Sequence, residues 1–446
     1  MTRYAAKSLP VHRGAAAWNA ILGDQGEAAE LDSDMTADFA VIGGGFAGLA
    51  AARRLRQLQP DARIVVLEAG RIGEGASGRN SGFMIDLPHE LSSKDYAGSG
   101  DDRLMTRLNR QAIAFGKAAV EDYRIDPNFF DEAGKVNGAA GDAALAHNAT
   151  YAQHLESMGE PFSLLDAKQM QDLTGSAHYN GGLYTPGTVM LQPAGYVRGL
   201  AAGLQRDGVE ILENSGVIAF VKEGLSWKVE ALKGSVSTGA VILTVNGHLE
   251  SFGVAKGRLL HLFLFAMMTP ELDADQIASM GGQSRWGITP SDPMGTTMRR
   301  IDEGQGGNRI ITRTSAVLRP GMRTTDTDMK RSALAMRRKF DQRYPLFADM
   351  QMEHHWAGHL CLSLNGVSHA HEIEKGVYSG CVQNGLGATR GTLTGITAAE
   401  LACGVQSEIS DHFRFEISAK KLPPNSFLGL GGNLFLRWKQ LRARNE

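Results

Sequence analysis

Cysteine is scarce in this 446-residue chain: Cys361, Cys381 and Cys403 form no CxxC pair and no even framework. That excludes a disulfide-stapled scaffold and a dithiol redox centre, and it predicts a reducing, cytoplasmic compartment. Long apolar runs are missing too. The longest, LLHLFLFAMM (Leu259–Met268), is far too short to span a bilayer as a helix and reads as a buried strand. The opening MTRYAAKSLPVHRG has no apolar centre, so no secretory signal and no integral membrane segment are expected. Neither sign of charge prevails: 46 Lys and Arg against 48 Asp and Glu leave −2, which gives no global field to recruit nucleic acid or a membrane surface. Only 14 prolines stand against 54 glycines, and the glycines cluster between apolar segments. This is the pattern of an α/β protein with many tight turns, long enough for two lobes.

What is present begins with ADFAVIGGGFAGLAAARRLRQLQPDARIVVLEAG, residues 37–70. The spacing predicts a strand over 38–42, a helix over 46–59 and a second strand over 63–67. Gly43 and Gly45 permit a tight turn and close approach of backbone to a pyrophosphate, while Gly48 lets the helix pack on the sheet. The helix start at Phe46 and Ala47 offers free N–H groups and a partial positive charge to the phosphates. Glu68, twenty positions past Gly48, is placed to accept hydrogen bonds from ribose hydroxyls and to repel a 2′-phosphate. The turn alone does not separate a nicotinamide dehydrogenase from a flavoenzyme.

Two further stretches discriminate. RIGEGASGRNSGFM (71–84) follows the Glu68 strand as a loop of small residues where a nicotinamide domain would enter its next helix. YSGCVQNGLGATRGTLTGITAAELACG (378–404) sets glycines around the start of a late helix. With YAAKSL, QPAGYVRGLA, AVILTVNGH and HWAGHLCLSLNG in this order, the chain resembles the D-amino-acid oxidase-type family of FAD-dependent oxidoreductases, in particular its γ-glutamylputrescine oxidase-like members. The resemblance implies an α/β fold: a Rossmann-like FAD-binding domain of glutathione-reductase type, interrupted by an α+β substrate domain with a large mixed or antiparallel sheet. The implied division is an arm and linker over 1–36, FAD-domain segments over 37–103, 187–256 and 352–420, substrate-domain segments over 104–186 and 257–351, and a tail over 421–446.

It also implies residue roles. Glu68 and Ala69 would meet the adenosine ribose and Ser77 the pyrophosphate, with Arg79, Asn80, Ser81 and Gly82 along the isoalloxazine. Val217 would contact adenine through its backbone, and Asn246 and Gly247 would end the strand that returns to the cofactor. Gly387, Ala388 and Thr389 would present N–H groups to the flavin pyrimidine edge, where reduced flavin is negative and a helix N-terminus is favourable. Neither Cys361 nor Cys381 falls on a linking position, so FAD is expected to be non-covalent.

The implied reaction is oxidation of the C–N bond of a small amine or amino acid, with oxygen or another electron acceptor completing turnover. In the hairpin TTMRRIDEGQGGNRIITRT, Arg300 is the preferred substrate residue and Arg299 the solvent-facing alternative. Met298 stands where relatives carry an aromatic, so the familiar carboxylate clamp is in question. Trp356 walls the pocket or belongs to the core, and Asn365 is a polar candidate near the active site. Lys256 and His261 lie on the crossing into the substrate domain. His354, His355 and His359 lack an HExxH pattern or a carboxylate pair, so no metal is expected. Two other readings stay open: a catalytically silent flavin-binding subunit and an NAD-dependent dehydrogenase. The terminal LFLRWKQLRARNE reads as a solvated basic helix with one face packed, or as one that faces a partner or lipid.

Overall fold

In a computed structural model, residues 2–88, 101–292, 294–424 and 428–446 are described. Among them, two large sheets carry the body. The centre of the first is parallel: Glu210–Leu212, Ile64–Leu67, Met35–Ile42, Ser235–Leu243 and Val377–Ser379 run side by side. Ile64–Leu67 is β-branched and apolar throughout, and all four residues are buried, as a strand covered on both faces requires. Beyond Ser235–Leu243 the sheet turns antiparallel through Ser226–Ala231 and Val217–Glu223 to Arg3–Ala5. The N-terminal arm thus supplies an edge strand.

Helix Phe46–Leu58 packs directly on helix Gly387–Cys403. Glycine makes this contact possible: a Cβ on Gly391 would sit 3.3 Å from the Phe46 Cβ, and one on Gly395 would overlap the Ala47 carbonyl oxygen. Both helices therefore begin at the same end of the parallel sheet, beside the Gly43–Gly45 turn.

The second sheet has eight strands in the order His354–Ser363, Leu259–Met268, Arg309–Leu318, Thr297–Ile301, Trp286–Pro290, Lys135–Ala139, Gly181–Thr185 and Ser163–Asp166. All neighbours are antiparallel except Trp286–Pro290 with Lys135–Ala139. One face buries Phe265, Met298 and Ile310 against Met336 and Phe340 of helix Asp326–Arg343. The opposite face sets Trp356, Ala266 and Ile311 against Trp18 and Ala194. Residues 102–172, helical by their spacing, do contain long helices, Asp102–Asp122 and Asp142–Met158, but strand Lys135–Ala139 lies between them in the heart of this sheet. Its small and polar residues, KVNGA, carry no apolar alternation, which is why sequence spacing passes over it.

Among the described residues no helix is long and apolar enough to cross a membrane.

The candidate FAD site

One continuous cavity joins the two lobes, and its lining includes the first glycine turn, Glu68, Ser77, Val217, Asn246 and Gly387. The turn is built for close approach. Gly43 has φ +105°, a backbone state that L side chains rarely adopt, and a Cβ there would lie 2.8 Å from the Thr244 carbonyl oxygen. Gly48 sits behind the wall, where a Cβ would overlap the Gly43 carbonyl oxygen. At Gly45 a Cβ would meet the Ser77 Oγ at 2.6 Å, and that oxygen accepts the Phe46 N–H at 3.0 Å. Helices Phe46–Leu58 and Gly387–Cys403 start at Gly45 and Leu386 with no bond from the cap side chain, and beyond the Phe46 N–H that Ser77 takes, the N–H groups of these first turns are left for a ligand.

Glu68 accepts the N–H of Gly44 at 2.7 Å and of Gly70 at 3.1 Å. Burial pushes its carboxyl up, against the pull of the Gly44, Gly70 and Ala69 backbone bonds. It both shapes the turn and offers its remaining lone pairs to hydroxyl donors. Glu68→Ala is expected to weaken FAD retention by roughly 1.5–3 kcal/mol, the loss of a charged hydrogen bond, read as the FAD dissociation constant in a fluorescence titration.

Two cavity-lining polar atoms, Asn246 Oδ1 and His248 Nδ1, are buried with no hydrogen-bond partner among the described residues. Uncapped helix starts, a glycine-lined turn and orphaned polar atoms in one cavity fit a dinucleotide cofactor.

Phe46, Ala47, Ala69 and Asn80 also line the cavity. Other expected residues stand behind its wall. Arg79 directs its guanidinium to the carbonyls of Glu74 at 2.5 Å, Gly14 at 2.9 Å and Ala357 at 3.1 Å, which fastens the small-residue loop to the arm and to the second sheet. The Gly82 N–H bonds the Asn80 Oδ1 at 2.7 Å, and the Ser81 and Gly82 carbonyls accept from Arg299. Ala388 is buried, and Thr389 Oγ1 donates to the Ile85 carbonyl at 2.9 Å, which pins the late helix to the same loop. Gly247 does not itself line the cavity but packs against the histidines beside it: a Cβ there would lie 2.8 Å from the His359 ring and 3.0 Å from His261 Nδ1.

The substrate-side expectations need correction. Along strand Thr297–Ile301 side chains alternate, so Arg299 and Arg300 lie on opposite faces. Arg300 shares the face of Met298, away from the FAD-binding lobe, and donates to the Gly281 carbonyl at 2.8 Å. Arg299, expected in solvent, is 1% exposed and bonds the carbonyls of Leu191 at 2.7 Å and Gly82 at 3.1 Å and the Gln305 side chain at 3.0 Å. Trp356 is fully buried in the core with Trp18, its indole donating to the Arg79 carbonyl at 3.1 Å. Asn365 holds the chain near Ser418 and Lys420. The cavity receives none of Arg300, Trp356 and Asn365, and Lys256 is exposed.

The second lobe and the arm bring instead Phe263, Met322, His359 and His12, with His248 from the short helix Asn246–Phe252. His359 stacks on Phe263 with ring centres 5.1 Å apart, and its Nε2 is 3.2 Å from His261 Nδ1. The far side of His261 meets Glu250 at 2.8 Å. Only proximity in space assembles this group, although the i,i+2 alternation of His261 with Phe263 on one strand was a readable signal. Among the described residues no group of three or more His, Cys, Asp or Glu is arranged to hold a metal.

Burial lowers His248 from 6.5 to about 4, and holds His359 well below its usual value, with His248, His261 and His12 adding repulsion. Between the unfolded value of 6.5 and the folded one, the unfolded chain binds more protons, so stability falls as pH falls. The melting temperature is therefore expected to drop steeply below pH 6.5 towards 4, and a flat profile there would contradict the neutral burial of these rings.

The sequence model of the FAD dependent oxidoreductase (DAO) family matches residues 38–401. The chain is 25% identical over 391 residues to the probable oxidoreductase OrdL of Rhizobium meliloti (strain 1021), covering 84% of each. It is 29% identical over 223 residues to the gamma-glutamylputrescine oxidoreductase of Escherichia coli (strain K12), covering 49% of this chain and 51% of that one. Glycine oxidase from Geobacillus kaustophilus has the same fold, with a TM-score of 0.70 at 16% identity over 86% of this chain and 100% of that one. With the match running from the first strand of the nucleotide turn to the end of the late glycine helix, this chain belongs to the DAO family of FAD-dependent oxidoreductases.

Proposed function

We propose that the protein oxidises the C–N bond of a small amine, a polyamine derivative or an N-substituted amino acid, giving an imine that hydrolyses to an aldehyde or oxo acid. Bound FAD supplies the hydride acceptor. The first helix start and Ser77 would hold the pyrophosphate, Glu68 the ribose, and the N-terminus of Gly387–Cys403 the edge that becomes negative on reduction. The observation that carries the reading towards an amine is the fate of the hairpin arginines: Arg299 and Arg300 are both spent on protein carbonyls, which removes the carboxylate clamp a simple α-amino acid would use there. The likeness to a gamma-glutamylputrescine oxidoreductase supports the same choice.

FAD is held without a covalent bond in this reading. Attack on the flavin needs a thiolate, and burial pushes Cys381 up to about 12 while its Sγ donates to the Leu243 carbonyl. Burial raises Cys361 likewise. Acid precipitation should release all the FAD into the supernatant.

The deciding experiment is anaerobic bleaching of the flavin by a panel of amines, polyamine derivatives, N-methyl amino acids and amino acids. Bleaching by an amine is the expected result, and a flavin that no compound reduces would favour the silent-subunit reading. Reoxidation by air with formation of peroxide would mark an oxidase.

A further inference from the structure

The family match ends at residue 401, and the chain beyond it has a charge pattern of its own. From Ile417 to Asn445 there is no Asp or Glu, while Lys420, Lys421, Arg437, Lys439, Arg442 and Arg444 are all basic. The near-neutral total therefore conceals a basic tail.

Helix Asn433–Arg442 shows what this tail presents. Its inner face is fixed: Asn433 bonds the Leu318 N–H at 2.9 Å and carbonyl at 3.1 Å, Gln440 donates to the Ala316 carbonyl at 2.9 Å, and Ala443 just beyond is 1% exposed. The outer face carries Leu434, Phe435, Trp438 and Leu441, exposed by 57%, 57%, 49% and 70%. At 100° per residue these four span about a third of the helix circumference, with Arg437 on one border, Lys439 on the other and Arg442 projecting between Trp438 and Phe435 at the C-terminal turn. Lys439 lies over the Phe435 and Trp438 rings and Arg442 over Trp438, at 5.1–5.8 Å. Among the described residues none of Arg437, Lys439, Arg442 and Arg444 has a carboxylate partner within ion-pair distance.

An apolar stripe holding Trp and Phe, bordered by long cationic side chains and anchored by its back to a folded body, has the chemistry of a helix lying in a bilayer interface. Its rings enter the acyl boundary while Lys and Arg reach the headgroups. The unpaired positive charge selects anionic headgroups. We propose that this outer face docks the FAD-loaded enzyme peripherally on an anionic lipid surface.

The protein contains its own reporter. Trp18, Trp227, Trp286 and Trp356 are all 2% exposed or less, so Trp438 is the one tryptophan that a surface can newly cover. Adding the holoprotein to phosphatidylcholine vesicles containing phosphatidylglycerol should shift its tryptophan emission to the blue and bring it down with the vesicles. Pure phosphatidylcholine should do neither, and salt should reverse both effects.

Replacing Arg437, Lys439 and Arg442 together by Gln should weaken partition roughly a hundredfold. Phe435→Ser with Trp438→Ser should abolish sedimentation, with the flavin spectrum and melting temperature unchanged. No binding to anionic vesicles at low salt, equal binding to both kinds of vesicle, or undiminished binding by the Gln variant would each overturn the proposal. So would sedimentation velocity in which the native protein self-associates and the Ser variant does not, because a second copy would then cover this face. Capture by polyglutamate with no preference for anionic vesicles would equally overturn it, in favour of an acidic protein partner.

Discussion

Gly48→Ala is expected to yield protein that retains no FAD and melts far below the native chain. The Cβ it adds would overlap the Gly43 carbonyl oxygen and come within 2.8 Å of Thr244 Oγ1. The first obstacle is backbone, held by the neighbouring strand Ile64–Leu67: the Gly43 N–H bonds the Leu67 carbonyl at 2.8 Å, so the turn cannot retreat without leaving the sheet. Overpacking of a tight contact costs roughly 1–3 kcal/mol, and more where no side chain can yield. Gly45→Ala is the informative control, because its nearest neighbour at 2.6 Å is the hydroxyl of Ser77, the end of a side chain that can rotate. That variant should keep its fold and lose affinity for FAD. The ratio of flavin to protein absorbance and the melting temperature separate the two, and a Gly48→Ala protein with native values of both would refute the packing described.

Arg299→Met should be the more damaging of the two arginine substitutions, by about 3 kcal/mol or more. Its guanidinium bonds the Leu191 carbonyl at 2.7 Å, Gly82 at 3.1 Å and Ser81 at 3.3 Å, together with Gln305, and all four lose this buried donor, although the Gly82 carbonyl keeps a second bond, from the Leu191 N–H at 2.7 Å. Since Ser81 and Gly82 belong to the loop beside the cofactor cavity, flavin content should fall along with the melting temperature. Arg300→Met loses a single bond to Gly281 on the opposite face, so a change of about 1 kcal/mol is expected, with KM for the reducing amine unaltered. A raised KM at native stability in the Arg300 variant would return that residue to the substrate.

The contrast between these arginines marks the boundary of what was legible. MRRI shows two adjacent cations on a strand, and nothing in the pair says which faces the cofactor lobe. One residue of register decides it, because a shift by one exchanges the faces of every side chain. The histidines are a similar case. In the HHWAGH run His354, His355 and His359 read together as a metal question, whereas His359 finds its partner in His261 on the adjacent strand, with Glu250 beyond it. Sequence separations of 98 and 11 residues close only when the second sheet forms. Trp356 likewise was open between pocket and core until Trp18 of the arm packed beside it.

What the chain determines on its own is the nucleotide turn. Gly43 needs a positive φ, Gly48 must pass the carbonyl five residues behind it, and the first turn of the helix starting at Phe46 has N–H groups with no partner inside the helix. These are relations within a few residues, so local sterics enforce them before any lobe assembles. The tertiary structure decided the rest. It set Gly395 against Ala47, so that a second helix start faces the same cavity. It chose the faces of Arg299 and Arg300, and it left the apolar side of the last helix uncovered. Each of these depends on which surfaces meet across hundreds of residues, a matter of packing and register that no local pattern encodes.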